Sequence, residues 1–398
     1  MIHRTEVQGQ KTASLFYLTM THYDYIFAGG GCAAFSLIYY LNKSSLKTKS
    51  ILVIDPQGSS YPSKTWCYWA EKPLEIHPPN QLVQWNQLSF GRGKEKTLLK
   101  LKKLTYYHIQ ASDFFRNLRE EFDSNPNINF FQDKVISCQT STSGFIVTSE
   151  GGKQFSGDYF FDSRAESADW TDQNVLKQQF VGWKISLDYS FFDPDSVTWM
   201  DILSSENDQF SFGYILPYDT KHALVEYTCY SEKEIPYSLL EDRLKKYLDS
   251  HLESISYTPY FEEKGRIPMS TQFKMNSPHP RWINLGTRAG WSRPSTGFTF
   301  QFIQDYCREL VAELEFSGTV TQKKMPSRHY FYDNILLNIV KKWPKQLEHV
   351  FVNLFTSNSP DHVLQFLQAK TGVWEELSLL SKVRFYPFLK SLWHYEKH

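Results

Sequence analysis

The chain has no excess of charge of either sign. Lys+Arg and Asp+Glu each number 43 in 398 residues. A balanced chain lacks the basic face that binding a polyanion requires, which argues against nucleic acid as the main partner. Cysteine is scarce: Cys32, Cys67, Cys138, Cys229 and Cys307 are odd in number and scattered, with no C-x-x-C pair. That excludes a disulfide framework and a cysteine zinc site, leaves no metal site to propose, and fits a reducing, cytoplasmic setting. No apolar run approaches the ~18 residues that span a bilayer. Near the start only Ala13 to Leu18 is apolar, with Ser14 inside it, which is too short and polar for a secretory signal. Met20-Thr21-His22-Tyr23-Asp24-Tyr25 reads as a natural start, so residues 1–20 are set apart as an N-terminal extension. There is no internal repeat and no low-complexity segment. Aromatic residues are plentiful: 30 Phe, 24 Tyr and 11 Trp make up 16% of the chain. That number suits an ordinary core and, equally, a large apolar ligand or a cationic intermediate.

Tyr25-Ile26-Phe27-Ala28 is a short apolar run ending at glycines and reads as a buried strand. Cys32 to Leu41 has helical composition, and Ile51-Leu52-Val53-Ile54-Asp55 is a second buried strand. Together they form a βαβ unit of about thirty residues. Its turn meets the pattern G-x-G-x-x-G/A with Gly29, Gly31 and Ala34. The first glycine permits the tight turn, the second lets backbone approach a pyrophosphate, and the small third residue lets helix and strand pack closely. The helix N-terminus then offers free N–H groups to phosphates. Asp55, 21 residues after Ala34, stands where an acid accepts hydrogen bonds from the adenosine ribose.

Ser112 reads as an N-cap with its helix over 113–122, and short strands are expected at 128–131, 135–138, 145–149 and 158–161. From about Gln178 the pattern becomes that of a mostly antiparallel sheet, with strands at 180–187, 198–202, 210–216 and 223–230 and a helix at 239–248. A buried strand returns at 281–285 and a helix at 299–314. The fold class expected is α/β: an FAD-binding Rossmann-type lobe (21–175, completed by 281–315), an inserted antiparallel substrate domain (176–280) and a helical C-terminal part (316–398). The N-terminal position of the glycine turn and the late return of the chain favour FAD over NAD. Gly286, Thr287, Gly290 and Gly297 fall where the chain would approach the flavin and its phosphates. Many flavin proteins carry Gly-Asp here, whereas Gly286 is followed by Thr287.

Several segments, in order, resemble one family. They are Asp24 to Ala34, Lys64-Thr65-Trp66-Cys67-Tyr68-Trp69, Phe161-Asp162-Ser163-Arg164, Trp199-Met200-Asp201, Phe212 to Pro217, Ala223-Leu224-Val225-Glu226-Tyr227-Thr228, Gly265 to Met269, Gly286 to Gly290 and Arg293 to Phe298. The chain resembles the flavin-dependent lycopene cyclases, in particular the bacterial lycopene β-cyclases. The resemblance implies closure of the ψ-ends of lycopene, or of another ψ-ended carotenoid, into β-ionone rings, an isomerisation that needs reduced FAD without net redox change. NAD(P)H is the implied electron source. A related FAD-dependent isoprenoid reductase or hydroxylase is the alternative by fold-level analogy, and a non-enzymatic flavin-binding module is a third option.

Cyclisation needs an acid to protonate C2 and a base to take a proton from C6. Along 223–228, period two puts Leu224, Glu226 and Thr228 on one face. A carboxyl on an apolar strand facing an apolar substrate has a raised pKa, and the resemblance makes Glu226 the acid–base residue. Asp201 matches a family acidic position and is the second candidate. Trp66, Trp69, Tyr227, Trp291 and Phe298 are candidates for cation–π stabilisation. Lycopene dissolves in membranes, so a peripheral location on the inner face of the cell membrane is expected. Ile335 to Val340 and Val350 to Phe355, with Lys341, Lys342 and Lys345 nearby, are the candidate interfacial segments.

Overall fold

The computed structural model describes residues 20–79, 82–164, 175–203, 209–253, 255–272, 277–321, 325–383 and 385–398. The expected extension, apart from Met20, lies outside the described residues.

The first sheet is built on β1 (Thr21–Ala28). On one side lie β2 (Ile51–Ile54) and then β8 (Ile128–Phe131); on the other lies β11 (Gln154–Asp162), whose C-terminal end pairs β17 (Trp282–Asn284). These pairings are all parallel. Strands covered on both faces read as continuous apolar runs, as Ile51-Leu52-Val53-Ile54 does. The N-terminal part of β11 instead pairs β10 (Gly144–Ser149), which pairs β9 (Val135–Ser141), both antiparallel. Helices α1 (Cys32–Asn42), α2 (Ala111–Asp123) and α4 (Phe300–Ser317) share one apolar core with this sheet, through Phe35, Phe115, Cys307 and Val311 among others. Helix α2 begins at Ala111, whose N–H donates to the Lys64 carbonyl at 2.7 Å, so Ser112 lies in the first turn and is not the cap.

The second sheet has the order β16 (Tyr257–Met269), β12 (Leu176–Leu187), β15 (His222–Ser231), β14 (Ser211–Pro217), β13 (Ser196–Ile202), β5 (Gln87–Arg92), β6 (Glu95–Lys100). It is antiparallel except between β13 and β5. Strands β5 and β6 come from the stretch 21–175 expected to belong wholly to the nucleotide lobe. Phe90 and Leu99 bury their side chains against Val197 and Trp199 in the second core, which draws this hairpin across the expected boundary. Helix α3 (Tyr237–His251) covers one face of the sheet, over Val181, Ile185, Val225 and Tyr227.

The other face looks towards a small sheet, β3 (Thr65–Ala70), β7 (Thr105–Gln110) and β4 (Val83–Trp85), and towards the C-terminal helices. Those are α5 (Ser327–Lys342), α6 (Pro344–Thr356), α7 (Pro360–Leu367), α8 (Val373–Ser381) and α9 (Phe385–Trp393). The two segments expected to lie in a membrane interface are core instead. Ile335, Leu337, Ile339 and Val340 on α5, and Val350, Phe351, Leu354 and Phe355 on α6, are all buried. Exposed apolar side chains gather further on, at Val373, Trp374 and Leu377 of α8 and Tyr386, Leu389, Leu392 and Trp393 of α9, with Phe331 exposed near the start of α5.

Candidate active site

The glycine turn joins β1 to α1. Gly29 has φ +93°, where a side chain is strained, and a Cβ there would stand 2.8 Å from Ser163 Oγ. That serine follows β11 and donates to the Gly29 carbonyl at 2.9 Å, so Phe161-Asp162-Ser163-Arg164 closes beside the turn. Asp162 is fully buried and paired with Arg164 at 2.7 Å and Arg288 at 3.4 Å. Asp55 directly follows β2 and accepts the Gly30 N–H at 2.7 Å and the Gln57 N–H at 2.8 Å. Ala34 is fully buried against the sheet.

Gly31 is the N-cap of α1, and a Cβ built on it would have no atom within 4 Å. The helix has neither a side-chain cap nor an acidic residue in its first turn. Free N–H groups and open space at a helix N-terminus fit a dinucleotide pyrophosphate. The late segment converges on the same place: Gly286 (φ +60°) would put a Cβ 3.1 Å from that of Ala33. Thr287 is exposed, and Gly290 caps the short 3₁₀ turn with φ +71°. Gly297 (φ +74°) reaches the second sheet, where a Cβ would meet Gln178 Oε1 at 3.0 Å. Helix α4 starts just beyond, also without a side-chain cap or an early acid. Gln178 Oε1, Thr296 Oγ1 and Gln301 Oε1 are buried there without partners. Orphaned polar atoms beside an uncapped helix are what a polar ring system such as a flavin would satisfy.

Glu226 lies on β15 opposite Gly182 of β12, and Gly182 is in turn opposite Glu263 of β16. Laterally paired residues share a face, so both glutamates flank a position with no side chain. A Cβ at 182 would come 2.7 Å from Glu226 Cγ and 3.3 Å from Glu263 Cγ. Glu263 is 6% exposed; its Oε2 accepts the Thr65 N–H of β3 at 2.6 Å. Lys184, two residues along β12, donates to Gln110 Oε1 at 2.6 Å and lies over the Phe261 and Tyr218 rings. Burial, and then the charge of Glu263, raise the Glu226 carboxyl well above its ordinary value. Glu226 nevertheless keeps some accessible surface. Around it Tyr214 bonds Tyr106 at 2.8 Å and Cys67 Sγ at 3.3 Å. Burial pushes the Cys67 thiol up to about 12.

Asp201 is elsewhere. It pairs laterally with Gly213, and Gly213 with Tyr227, which puts Asp201 on the α3 face of the sheet. There it is 3% exposed, held by Lys96 Nζ at 2.9 Å, Tyr247 Oη at 3.0 Å and the Gly93 N–H at 2.9 Å. Of the aromatic candidates, Trp69 and Phe298 meet edge to face at 4.6 Å, and Phe298 stacks on Trp199 at 6.1 Å, in the core that holds Leu224 and Tyr214. Trp66 packs on Phe114 and Phe300 in the nucleotide lobe, Trp291 stacks on Tyr306, and Tyr227 faces α3.

The family model for lycopene cyclase proteins matches residues 24–392. The chain belongs to the lycopene cyclase family. Among solved structures it is similar to a geranylgeranyl bacteriochlorophyll reductase-like protein from Thermoplasma acidophilum, with 12% identity, a TM-score of 0.62, and coverage of 94% of this chain and 99% of that one. It is also similar to a flavoprotein/dehydrogenase from Cytophaga hutchinsonii (12% identity, TM-score 0.59, 93% and 98% covered). A flavin-dependent brominase gives 13% identity, a TM-score of 0.57 and coverage of 88% and 94%. At these identities the likeness is one of fold. Comparison with curated protein sequences returns no match. Among the described residues no cluster of His, Cys, Asp and Glu is arranged to hold a metal, and no helix of this lycopene cyclase family member is long and apolar enough to cross a membrane.

Proposed function

We propose that the protein is a lycopene β-cyclase, converting lycopene through γ-carotene to β-carotene by proton-initiated carbocation chemistry. One observation carries this reading: Glu226, its carboxyl raised well above the ordinary range by burial and by Glu263, lies beside Tyr214 on the face of the sheet that meets the aromatic core of Trp69, Trp199 and Phe298. Gly29, Gly31, Ala34 and Asp55, with Gly286, Thr287, Gly290 and Gly297, would hold FAD. Reduced FAD, when bound, supplies negative charge that opposes a carbocation without net electron transfer, and NAD(P)H would keep it reduced. Glu226 delivers its proton to C2 of the ψ-end. The C5=C6 electrons close the ring on C1, and the resulting carboxylate recovers a proton from C6. Trp69, Trp199 and Phe298 give the cation π-faces. Asp201 supports the sheet from behind.

The substrate arrives from lipid, and the α8–α9 face is the surface we assign to a bilayer in place of the buried segments of α5 and α6. Trp374 and Trp393 are 83% and 87% exposed. Lys382 and Lys390 flank them, positive charges that suit anionic headgroups. Behind α9 lies an apolar cavity of about 240 Å³ lined by Phe331, Leu336, Phe351, Phe388, Leu389 and Leu392. Expression in a lycopene-accumulating bacterium tests the function. β-Carotene is expected, and unchanged lycopene beside folded, flavin-loaded protein overturns the reading. Anaerobic assays separate the alternatives: a cyclase needs reductant catalytically, whereas a reductase or hydroxylase consumes it one for one with product.

A further inference from the structure

We propose that Glu226 and Glu263 hold a single proton between them across Gly182 and act as one acid–base unit, Glu263 being the positioning residue that keeps the charge. The inference rests on the cyclase reading for its substrate and on geometry for everything else.

Three strands bring the two carboxyl groups to one point, and the residue between them has no side chain to part them. Glu263 is built as the anion of the pair. Burial raises its carboxyl too, but the Thr65 N–H on its Oε2 and the positive charge of Lys184 on the neighbouring strand work against that rise. Its Oε1 is buried with no donor from any other described group. A buried carboxylate oxygen without a donor is costly, and the hydrogen able to satisfy it is the one on Glu226. Two carboxylates so close cannot both ionise readily, so the pair as a whole carries one proton and one negative charge.

Among the described residues no other neighbour competes for that proton. Cys67 faces the pair from β3, Tyr214 from β14 with Tyr106 of β7 bonded behind it, and Tyr218 from just beyond β14. Burial raises all four, so each stays neutral through the physiological range. His108, bonded to Tyr218, is lowered by burial to about 3 and is neutral as well. Lys184, from β12, is lowered by burial.

The proton balance closes on this unit. The Glu226 O–H breaks and the C1=C2 electrons form the new C2–H bond, leaving the cation at C1 and two carboxylates facing it. The C5=C6 electrons form the C1–C6 bond and move the cation to C5. The C6–H electrons then form C5=C6, and the pair regains one proton. No oxidant or reductant is consumed. The dianion exists only while the cation does, so the pair's mutual repulsion is relieved by the intermediate itself.

The experiment compares wild type with Glu226→Gln, Glu263→Gln and Glu263→Asp, all flavin-loaded. Infrared difference spectra of the carboxylic-acid C=O band need no turnover. Wild type minus Glu226→Gln should show one protonated carboxyl at neutral pH; its absence overturns the sharing. In turnover, Glu263→Gln should move the fall of rate with rising pH to lower pH by roughly one unit, a tenfold loss at a fixed pH above the fall. Glu263→Asp should restore part of the shift. An unmoved profile in Glu263→Gln reduces Glu263 to scaffold and overturns the proposal. If wild-type protein forms no ring at all, the cyclase reading fails instead, and the infrared result still decides the pair.

Discussion

The two halves of the site are made in different ways. The turn from Gly29 to Asp55 is built from backbone: glycine conformations, free N–H groups of α1 and one carboxylate gathered within a single βαβ unit. The pair at Glu226 and Glu263 is built from side chains on β15 and β16, brought together only by their register on β12. The first is local and survives as a pattern of residue types. The second exists only once a sheet has formed, and its key position, Gly182, contributes by having nothing there.

Substitutions that strike one half and spare the other sharpen this division. The largest effect is expected from Glu226→Gln, which should lower cyclisation on the order of 10²–10⁴-fold while flavin absorbance stays unchanged; loss of both would join the two halves. Next, Gly31→Val places its Cβ with no atom within 4 Å and should leave the unfolding free energy within about 0.5 kcal/mol of wild type. It should nevertheless empty the protein of flavin, and a flavin-loaded Gly31→Val would remove the turn from cofactor binding. Gly182→Ala forces a carbon to within 2.7 Å of Glu226 Cγ. It should cost roughly 1–3 kcal/mol in denaturant unfolding and turnover besides, with flavin retained.

Asp201→Asn breaks the Lys96 pair on the far face and should cost about 1–3 kcal/mol without changing turnover per folded molecule. A clear loss of turnover would return Asp201 to the reaction. The smallest effect is one of linkage. Glu226 is raised above its ordinary 4.5, so the folded state binds a proton the unfolded chain releases, and stability falls as pH rises from that value towards the raised one. Melting curves of Glu226→Gln should therefore match wild type near pH 4 and exceed it by roughly 2 °C in mildly alkaline buffer.

The same division sets how much could be read in advance. Strands β1, β2, β12 to β15 and helices α1, α3 and α4 follow from apolar runs and periodicity. Alternation along one strand gave Glu226 its face, and the family resemblance singled it out as the candidate acid–base residue. Neither singled out Glu263. Strand β16 is an edge strand, and Tyr257–Met269 carries Pro259, Pro268, Gly265 and four charged residues, which hide its alternation. The one available signal was the proline-flanked run of charge itself, tolerable in a strand only at an edge. Asp201 was the second candidate because it matches a family acidic position. Which face a residue takes depends on pairing, and β13 shifts its register between Thr198 and Asp201. The α5 and α6 segments are as apolar as an interfacial helix, and only their partners in the core distinguish the two.

Strand β16 thus has a reading frame. Its residues 262 to 264 are Glu, Glu and Lys, and only the middle one faces Gly182. Slipped one place in one direction, the strand would offer a second glutamate; slipped in the other, it would offer Lys264, whose ammonium would hold Glu226 as a carboxylate with no proton to give. The irregularity between Lys184 and Ile185, where β12 passes from Phe261 to Pro259 and leaves Tyr260 unmatched, fixes the frame two residues from the pair. What distinguishes an acid from a spectator here is a comma in the sheet, and a slip of one residue along β16 would change the chemistry without altering a single residue of the site.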